Sequence, residues 1–299
     1  MTDLVVAITG ATASGKSALA LDLADACGGE IVSVDSRQVY AGLEVGTAAP
    51  SDADRARVPH HLVGSHDPRA PLSAGAYARL VAGCIDDIQS RDAVPVLVGG
   101  SMLYLDAVVH GLSPAVDVDL DLDALTAETA TPEGREALYD ELRRADPAAA
   151  ATLDATKTQR LARFVGLLRA TGRPPSELWA ERASPRHKVR PVVLDRPRDE
   201  LYTRIETRVG RMLADGLVDE NRRLLAQGLR LDRTPLRTIG YAEVIAYLEG
   251  DIDADEMVRL LKRNTRRYAK RQLTWLRRRP YPRVDAASAT PETVWEAVR

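Results

Sequence analysis

Residues 10–17 read Gly10-Ala11-Thr12-Ala13-Ser14-Gly15-Lys16-Ser17, the spacing G-x-x-x-x-G-K-[ST]. Glycines at both ends let backbone N–H groups turn inward around an anion, and a helix starting there adds the partial positive charge of its N-terminus. Lys16 supplies a point charge for a phosphate oxygen, and Ser17 a hydroxyl for Mg²⁺. Such a loop holds ATP and other nucleotides as readily as a simpler diphosphate, so the cradle alone names no reaction. Triphosphate hydrolases add an acidic residue after a later apolar strand to carry the metal. Here the apolar run 94–98 passes instead into Gly99-Gly100-Ser101. The acidic strand end is Asp35, which follows the run 30–34. Open sheets bind ligands at the carboxyl edge of their strands, so Asp35 stands beside the phosphate loop as a candidate general base for small-molecule chemistry.

The elements that must position these residues follow from the pattern around them. Residues 4–8, 30–34 and 94–98 are short, apolar and β-branched, and helical spacing over 17–27 and 74–90 separates them. Strands apolar on both faces and alternating with helices predict an α/β fold, a P-loop-containing parallel sheet flanked by helices. From residue 112 the character changes. Helical stretches are expected over 133–144, 148–153 and 158–171, the last stopped by Gly172, Pro174 and Pro175. Residues 189–194 read as a strand returning to the sheet, and helical spacing then continues nearly to Arg279. The expected organisation is a core of residues 1–111 with 189–299, and a mainly α-helical insertion domain of residues 112–188.

The chain has 299 residues, 45% of them apolar, which is enough to bury a core. Aromatics are only 4%, so that core is built from Ala, Leu and Val. Cys27 and Cys84 make no disulfide framework and no zinc pattern. Beside Pro59, His60 and His61 lack cysteine neighbours and are expected to be structural or substrate-lining rather than metal ligands. No apolar run reaches the roughly 18 residues of a membrane span, and a soluble, cytoplasmic monomer is expected. Net charge is −2, from 41 Lys plus Arg against 43 Asp plus Glu. The distribution matters more than the sum. Residues 259–283 hold eleven Lys or Arg and no acid, while residues 117–146 hold ten acids and three bases. Arg259, Arg263, Arg266 and Lys270 fall at helical spacing and are expected to form one positive stripe suited to a phosphate backbone. Tyr268 and Trp275, interleaved with them, are expected to face the core.

A family resemblance runs through these same segments. Asp35-Ser36-Arg37-Gln38-Val39-Tyr40, Gly46-Thr47-Ala48 and Pro59-His60-His61 resemble the tRNA dimethylallyltransferases, also called isopentenyl-tRNA transferases. Gly99-Gly100-Ser101-Met102-Leu103-Tyr104 resembles the family's GGTGLY, Gln159-Arg160 with Arg163 its QRxxR, and Thr171-Gly172-Arg173-Pro174 its TGxP. Arg204-Ile205, Arg208-Val209, Gly216-Leu217 with Glu220, and Ile239-Gly240-Tyr241 continue the series, and residues 265–275 are close to TRRYAKRQxTW. The chain departs from the pattern at Ala11, Ala49, Met102 and Ala242.

The resemblance implies transfer of a dimethylallyl group from dimethylallyl diphosphate to N6 of the adenosine just 3′ of a tRNA anticodon, with Mg²⁺ as cofactor. Asp35 would then orient the amine and take its proton, with the hydroxyl of Ser101 nearby. Residues 10–17, together with Arg204 or Arg208, would hold the diphosphate. Ser36, Arg37 and Gln38 would meet the neighbouring nucleotides. Gln159, Arg160 and Arg163 would grip the anticodon stem-loop from the other side, and Arg263, Arg266, Arg267, Lys270 and Arg271 its backbone. Three other readings share parts of these motifs: a dimethylallyltransferase acting on free adenylate, a P-loop small-molecule kinase, and a tRNA-binding paralogue without turnover. The first does not require the helical insertion or the basic C-terminal helix.

Overall fold

The computed structural model describes residues 4–113, 115, 118–154, 156–181, 184–230 and 235–299. Asp117, part of the expected acidic block, lies outside them. The chain divides into two compact units, one formed by Met1–Leu72, Tyr77–Val109 and His187–Arg299, the other by Ser73–Ala76 with His110–Arg186.

The first unit opens with β1 (Val5–Thr9), α1 (Lys16–Cys27), β2 (Gly29–Ser33), the short helices α2 (Glu44–Thr47) and α3 (Asp52–Arg57), and β3 (His60–His61). It continues through α4 (Ala74–Ser90), β4 (Val94–Gly99) and α5 (Met102–His110). The chain then forms α6 (Leu122–Glu128), α7 (Pro132–Ala145), α8 (Pro147–Ala151), α9 (Thr158–Thr171) and α10 (Pro175–Ala180) of the second unit. It returns as β5 (Val189–Asp195), α11 (Arg198–Ala214), α12 (Leu217–Ala226), α13 (Ala242–Leu248), α14 (Ala254–Leu276), β6 (Arg283–Asp285) and α15 (Pro291–Val298).

The six strands form one sheet in the order β3-β2-β4-β1-β5-β6, and every pairing is parallel. Alternation along β1 shows why both faces are buried. Val5 and Ala7 join a core with Tyr77, Val81 and Ile85 of α4 and Leu105 and Val108 of α5. Val6 and Ile8, on the opposite face, pack with Leu19, Ala20 and Leu23 of α1 and Val294 and Val298 of α15. A period of two with both sets apolar is the signature of a sheet covered on both sides. A third cluster joins Ala11 of the phosphate loop to Leu201, Ile205 and Val209 of α11, Leu217 of α12, Val244 of α13 and Leu261 and Ala269 of α14. Residues 280–299, for which the sequence pattern sets no element, supply β6 and α15, the latter started by a Thr290 capping box and Pro291.

The helical unit has its own core, in which Leu138 and Leu142 of α7 meet Leu161, Ala162 and Val165 of α9. Asp146 is its polar pivot. The buried carboxylate caps α8 through the Ala149 amide at 2.9 Å and accepts from the amide and hydroxyl of Ser176 at 2.7 and 2.8 Å. These bonds to the charged form hold the carboxyl below the usual range against the opposing effect of burial. Among the described residues no helix is long and apolar enough to cross a membrane.

Candidate active site

The phosphate loop leaves β1 and enters α1 with Ala13 at φ 65° and Gly15 at φ 103°. Alternation of ordinary and left-handed residues is how successive amides come to face one concavity. Two arginines from beyond β5 brace the loop by its carbonyls. Arg196 donates to the Ser14 carbonyl at 2.9 Å, and Arg204 to the Ala13 carbonyl at 2.8 Å. Lys16 opens α1, with Nζ 3.4 Å from the Ala11 carbonyl. Burial pushes its ammonium down to about 8, and the nearby Arg208 cation acts in the same direction while Asp35 opposes both. An ammonium depressed in this way gains most when an anion arrives. Ser17 follows on the exposed side of α1.

Asp35 stands two residues beyond β2. Its Oδ1 accepts from the amides of Arg37 at 2.9 Å and Gln38 at 3.3 Å. The strand end is fixed from below by the Tyr77 hydroxyl, which donates to the carbonyls of Ser33 at 2.7 Å and Asp35 at 3.3 Å. The Ser36 amide donates to Ser101 Oγ at 2.9 Å, which joins this turn to the loop leaving β4. Gln38 is spent within the same region. Its carboxamide accepts from the Ser33 hydroxyl at 3.0 Å and donates to the carbonyls of Thr47 and Ala48, each at 3.3 Å.

Asp35 and Ser101 share a cavity of about 330 Å³ with Thr12 of the phosphate loop. Thr12, Asp35, Ser36, Arg37, Ser101 and Arg208 form its polar wall, and Val209, Met212, Leu217, Ile239 and Leu261 its apolar wall. Of the two arginines expected at the diphosphate, Arg208 lines the cavity and Arg204 braces the outside of the loop. Burial draws the Arg208 guanidinium below its ordinary range, and Asp35 partly restores it.

Helix α14 closes the cavity with Thr265, Tyr268 and Arg271. The expectation that Tyr268 faces the core is corrected. Its ring lies at the cavity under Arg271, 5.6 Å from the guanidinium carbon, and burial together with the Asp35 charge pushes its hydroxyl up to about 12. Trp275 does pack on the core, with Arg279 stacked over it at 4.5 Å. The single basic stripe is also corrected. Arg259 pairs with Glu256 at 2.5 Å and Arg266 with Glu206 of α11 at 2.7 Å, while Arg267, Lys270 and Arg271 are exposed. Arg263 is half-buried, with Nε 3.3 Å from Asn264 Oδ1.

In the helical unit, Gln159 and Arg160 are exposed on α9. Arg163 turns inward, 5.9 Å from the Trp179 ring centre and 3.4 Å from the Ala115 carbonyl, and burial lowers its guanidinium. His60 Nδ1 meets the Val58 carbonyl at 2.7 Å, and His61 Nε2 meets Glu30 at 2.6 Å. No group of three or more His, Cys, Asp or Glu able to hold a metal occurs among the described residues.

Comparison with known proteins adds the family. The family model described as IPP transferase matches residues 38–279. The chain belongs to that family. A tRNA dimethylallyltransferase of Salinibacter ruber is 48% identical over 277 residues, 92% of this chain and 86% of that protein. One from Geobacter sulfurreducens is 45% identical over 278 residues, 92% of this chain and 89% of that protein. The crystal structure of a full-length tRNA isopentenylpyrophosphate transferase from Bacillus halodurans superposes with a TM-score of 0.70 at 34% identity, covering 99% of this chain and 94% of that one. As a member of the IPP transferase family the chain is an enzyme, a transferase built on the P-loop α/β sheet.

Several cavity residues escape a reading by motif. Arg237, Thr238 and Met212 line it without any pattern that marks them. Glu220 of α12 is buried beneath it, accepting from the amides of Val45 and Gly46 at 2.7 and 2.9 Å and from the Tyr241 hydroxyl at 2.8 Å. An acidic residue in an otherwise amphipathic helix carries no local sign that it is buried. The family series includes Glu220, and its burial is revealed by partners that include the amides of Val45 and Gly46, far away in sequence.

Proposed function

We propose that this enzyme transfers a dimethylallyl group from dimethylallyl diphosphate to N6 of the adenosine immediately 3′ of the anticodon in tRNA. The observation that carries the reading is that Thr12 of the phosphate loop, Arg208 and Asp35 line one cavity together with apolar side chains. A diphosphate fits the first pair, a five-carbon prenyl group fits Val209, Met212, Leu217 and Ile239, and an amine fits the carboxylate. The relatives named tRNA dimethylallyltransferases support transfer of a dimethylallyl group to tRNA.

The step balances within these groups. The N6 lone pair forms a bond to C1 of the allyl group as the C1–O bond breaks and diphosphate leaves. The proton released from the amine passes to Asp35. Asp35 has Oδ1 tied to two amides, so the carboxylate is held in one orientation toward the amine. Lys16 and Arg208 neutralise charge accumulating on the departing oxygens. Among the described residues the protein offers a metal few ligands, and Ser17 with diphosphate oxygens and water matches the habits of Mg²⁺. When bound, Mg²⁺ would offset charge on the diphosphate.

The adenine must reach Asp35 inside the cavity, so the target nucleotide is drawn out of its stack. Arg37 and Ser36 at the cavity wall suit its neighbours. Gln38, whose carboxamide is engaged inside the protein, acts by shaping the loop. Arg267, Lys270 and Arg271 are the exposed cations of α14 that meet the backbone, with Gln159 and Arg160 of the helical unit as further contacts. The same reading takes the enzyme as a cytoplasmic monomer.

The deciding experiment offers labelled dimethylallyl diphosphate with an anticodon stem-loop, AMP, or both. Label is expected in the stem-loop adenosine. Preferential labelling of AMP would transfer the assignment to free nucleotides, and phosphate transfer from ATP in place of prenyl transfer would make the chain a kinase.

A further inference from the structure

Gln272 of α14 is 2% exposed. Its carboxamide makes two hydrogen bonds of opposite sense, Oε1 accepting from the Thr12 amide at 2.8 Å and Nε2 donating to the Gly100 carbonyl at 2.8 Å. Thr12 belongs to the phosphate loop, and Gly100 precedes Ser101 at the exit of β4. One side chain from a third element therefore joins two loops that line the cavity from different strands. Glycine at position 100 makes room for it, since a Cβ there would stand 2.6 Å from Gln272 Nε2 and 2.9 Å from the Gly10 carbonyl. Its neighbours on α14, Tyr268 and Arg271, face the cavity themselves.

A carboxamide presents an acceptor and a donor side by side without charge. A carboxylate in the same place would hold the Thr12 amide, lose the Gly100 carbonyl and set a negative charge against a loop built for anions. We infer that Gln272 is a positioning residue that fixes the phosphate loop relative to the Ser101 loop, and thereby the leaving group relative to Asp35. The inference takes its substrate from the transfer reading above. Its consequence is steep, because a misplacement of about 1 Å between reacting groups lowers rates about a hundredfold.

The test compares the wild type with Gln272→Leu and Gln272→Glu. Inorganic diphosphate binding is measured by calorimetry, transfer to the stem-loop by kinetics, and thermal stability alongside. Gln272→Leu is expected to bind diphosphate roughly tenfold more weakly and to lose kcat while the stem-loop KM changes little. Gln272→Glu carries its own internal rescue. Burial raises its carboxyl, and in the protonated form its O–H replaces the lost N–H donor, so both bonds return. Its activity relative to wild type is expected to climb from about pH 9 to about pH 6. A Gln272 that merely supports the fold would lower the melting temperature of the variants but leave that ratio flat. A flat ratio, or wild-type diphosphate affinity in Gln272→Leu, overturns the inference. If the wild type binds diphosphate without labelling the stem-loop, the transfer reading fails, while weakened diphosphate binding in Gln272→Leu still upholds the positioning role.

Discussion

Arg208 of α11 donates from Nη2 to the Thr47 carbonyl at 3.1 Å, and both residues line the cavity that holds Asp35. A buried cation is thus aimed by a backbone carbonyl from α2, a helix of only four residues. So short a helix cannot hold itself in place. Glu220 does so from beneath, clamping the amides of Val45 and Gly46, and Tyr241 packs so tightly there that a Cβ on Gly46 would stand 2.4 Å from its ring. The chain of support runs from Glu220 through α2 to Arg208.

Glu220→Ala removes the partner of three donors, the half-buried amides of Val45 and Gly46 and the buried hydroxyl of Tyr241. At about 1–3 kcal/mol for each donor left unpaired, the expected loss is about 3 kcal/mol or more. Thermal denaturation is expected to show the melting temperature falling by several degrees, roughly 5–10 °C. Diphosphate affinity is expected to fall with it, because Thr47 no longer aims Arg208.

Asp35→Asn isolates the proton-accepting role. Asparagine retains an oxygen for the amides of Arg37 and Gln38, so the turn survives, whereas Asp35→Ala also removes that cap. Transfer is expected to fall about 10²- to 10⁴-fold, with inorganic diphosphate binding nearly unchanged. Single-turnover transfer close to the wild-type rate would remove Asp35 from the chemistry.

Diphosphate binding is expected to depend on pH through Lys16, whose ammonium is pushed down to about 8. The sign follows from the charged form being the one that binds. Bound diphosphate raises the ammonium again, so affinity is full below about pH 8 and declines as pH rises above it, by up to about tenfold per unit. Calorimetry with inorganic diphosphate between about pH 7 and pH 9.5 measures this directly. A flat profile would mean that Lys16 does not carry the charge for the anion.

Salt separates the two substrates. A backbone contact releases counterions, so each cation that contributes one steepens the salt dependence of RNA binding by about one unit of log–log slope. Lys270→Ala and Arg267→Ala are each expected to reduce the slope for an anticodon stem-loop by about one. Arg266→Ala is expected to reduce it less, because Glu206 already neutralises that guanidinium. Inorganic diphosphate, held inside the cavity, is expected to respond far less than the RNA.

The phosphate loop and Asp35 are legible in the chain because their chemistry is local. A turn that gathers amides needs a contiguous run of particular residues, and a strand end announces itself by the apolar run before it. Period-two burial on both faces likewise marks β1, β4 and β5 as strands of a covered parallel sheet. Tyr268 shows the limit of such periodicity. Helical spacing tells that one face of α14 is covered, and it does not distinguish a core from a cavity wall. Arg266 shows another, since the run 259–283 contains no acid and its partner Glu206 comes from α11.

By itself the sequence determined the anion cradle, the acidic strand end beside it, the parallel sheet that brings them together and the family. The tertiary structure alone decided which distant groups complete the cavity: Arg208 rather than Arg204 at its wall, Tyr268 turned into it, Glu220 beneath α2, and Gln272 between two loops. The reason is physical. Backbone turns and amphipathic faces are set by neighbours in the chain, whereas a buried polar side chain is satisfied by whatever donor or acceptor folding brings within 3 Å. For Gln272 those partners lie 172 and 260 positions away.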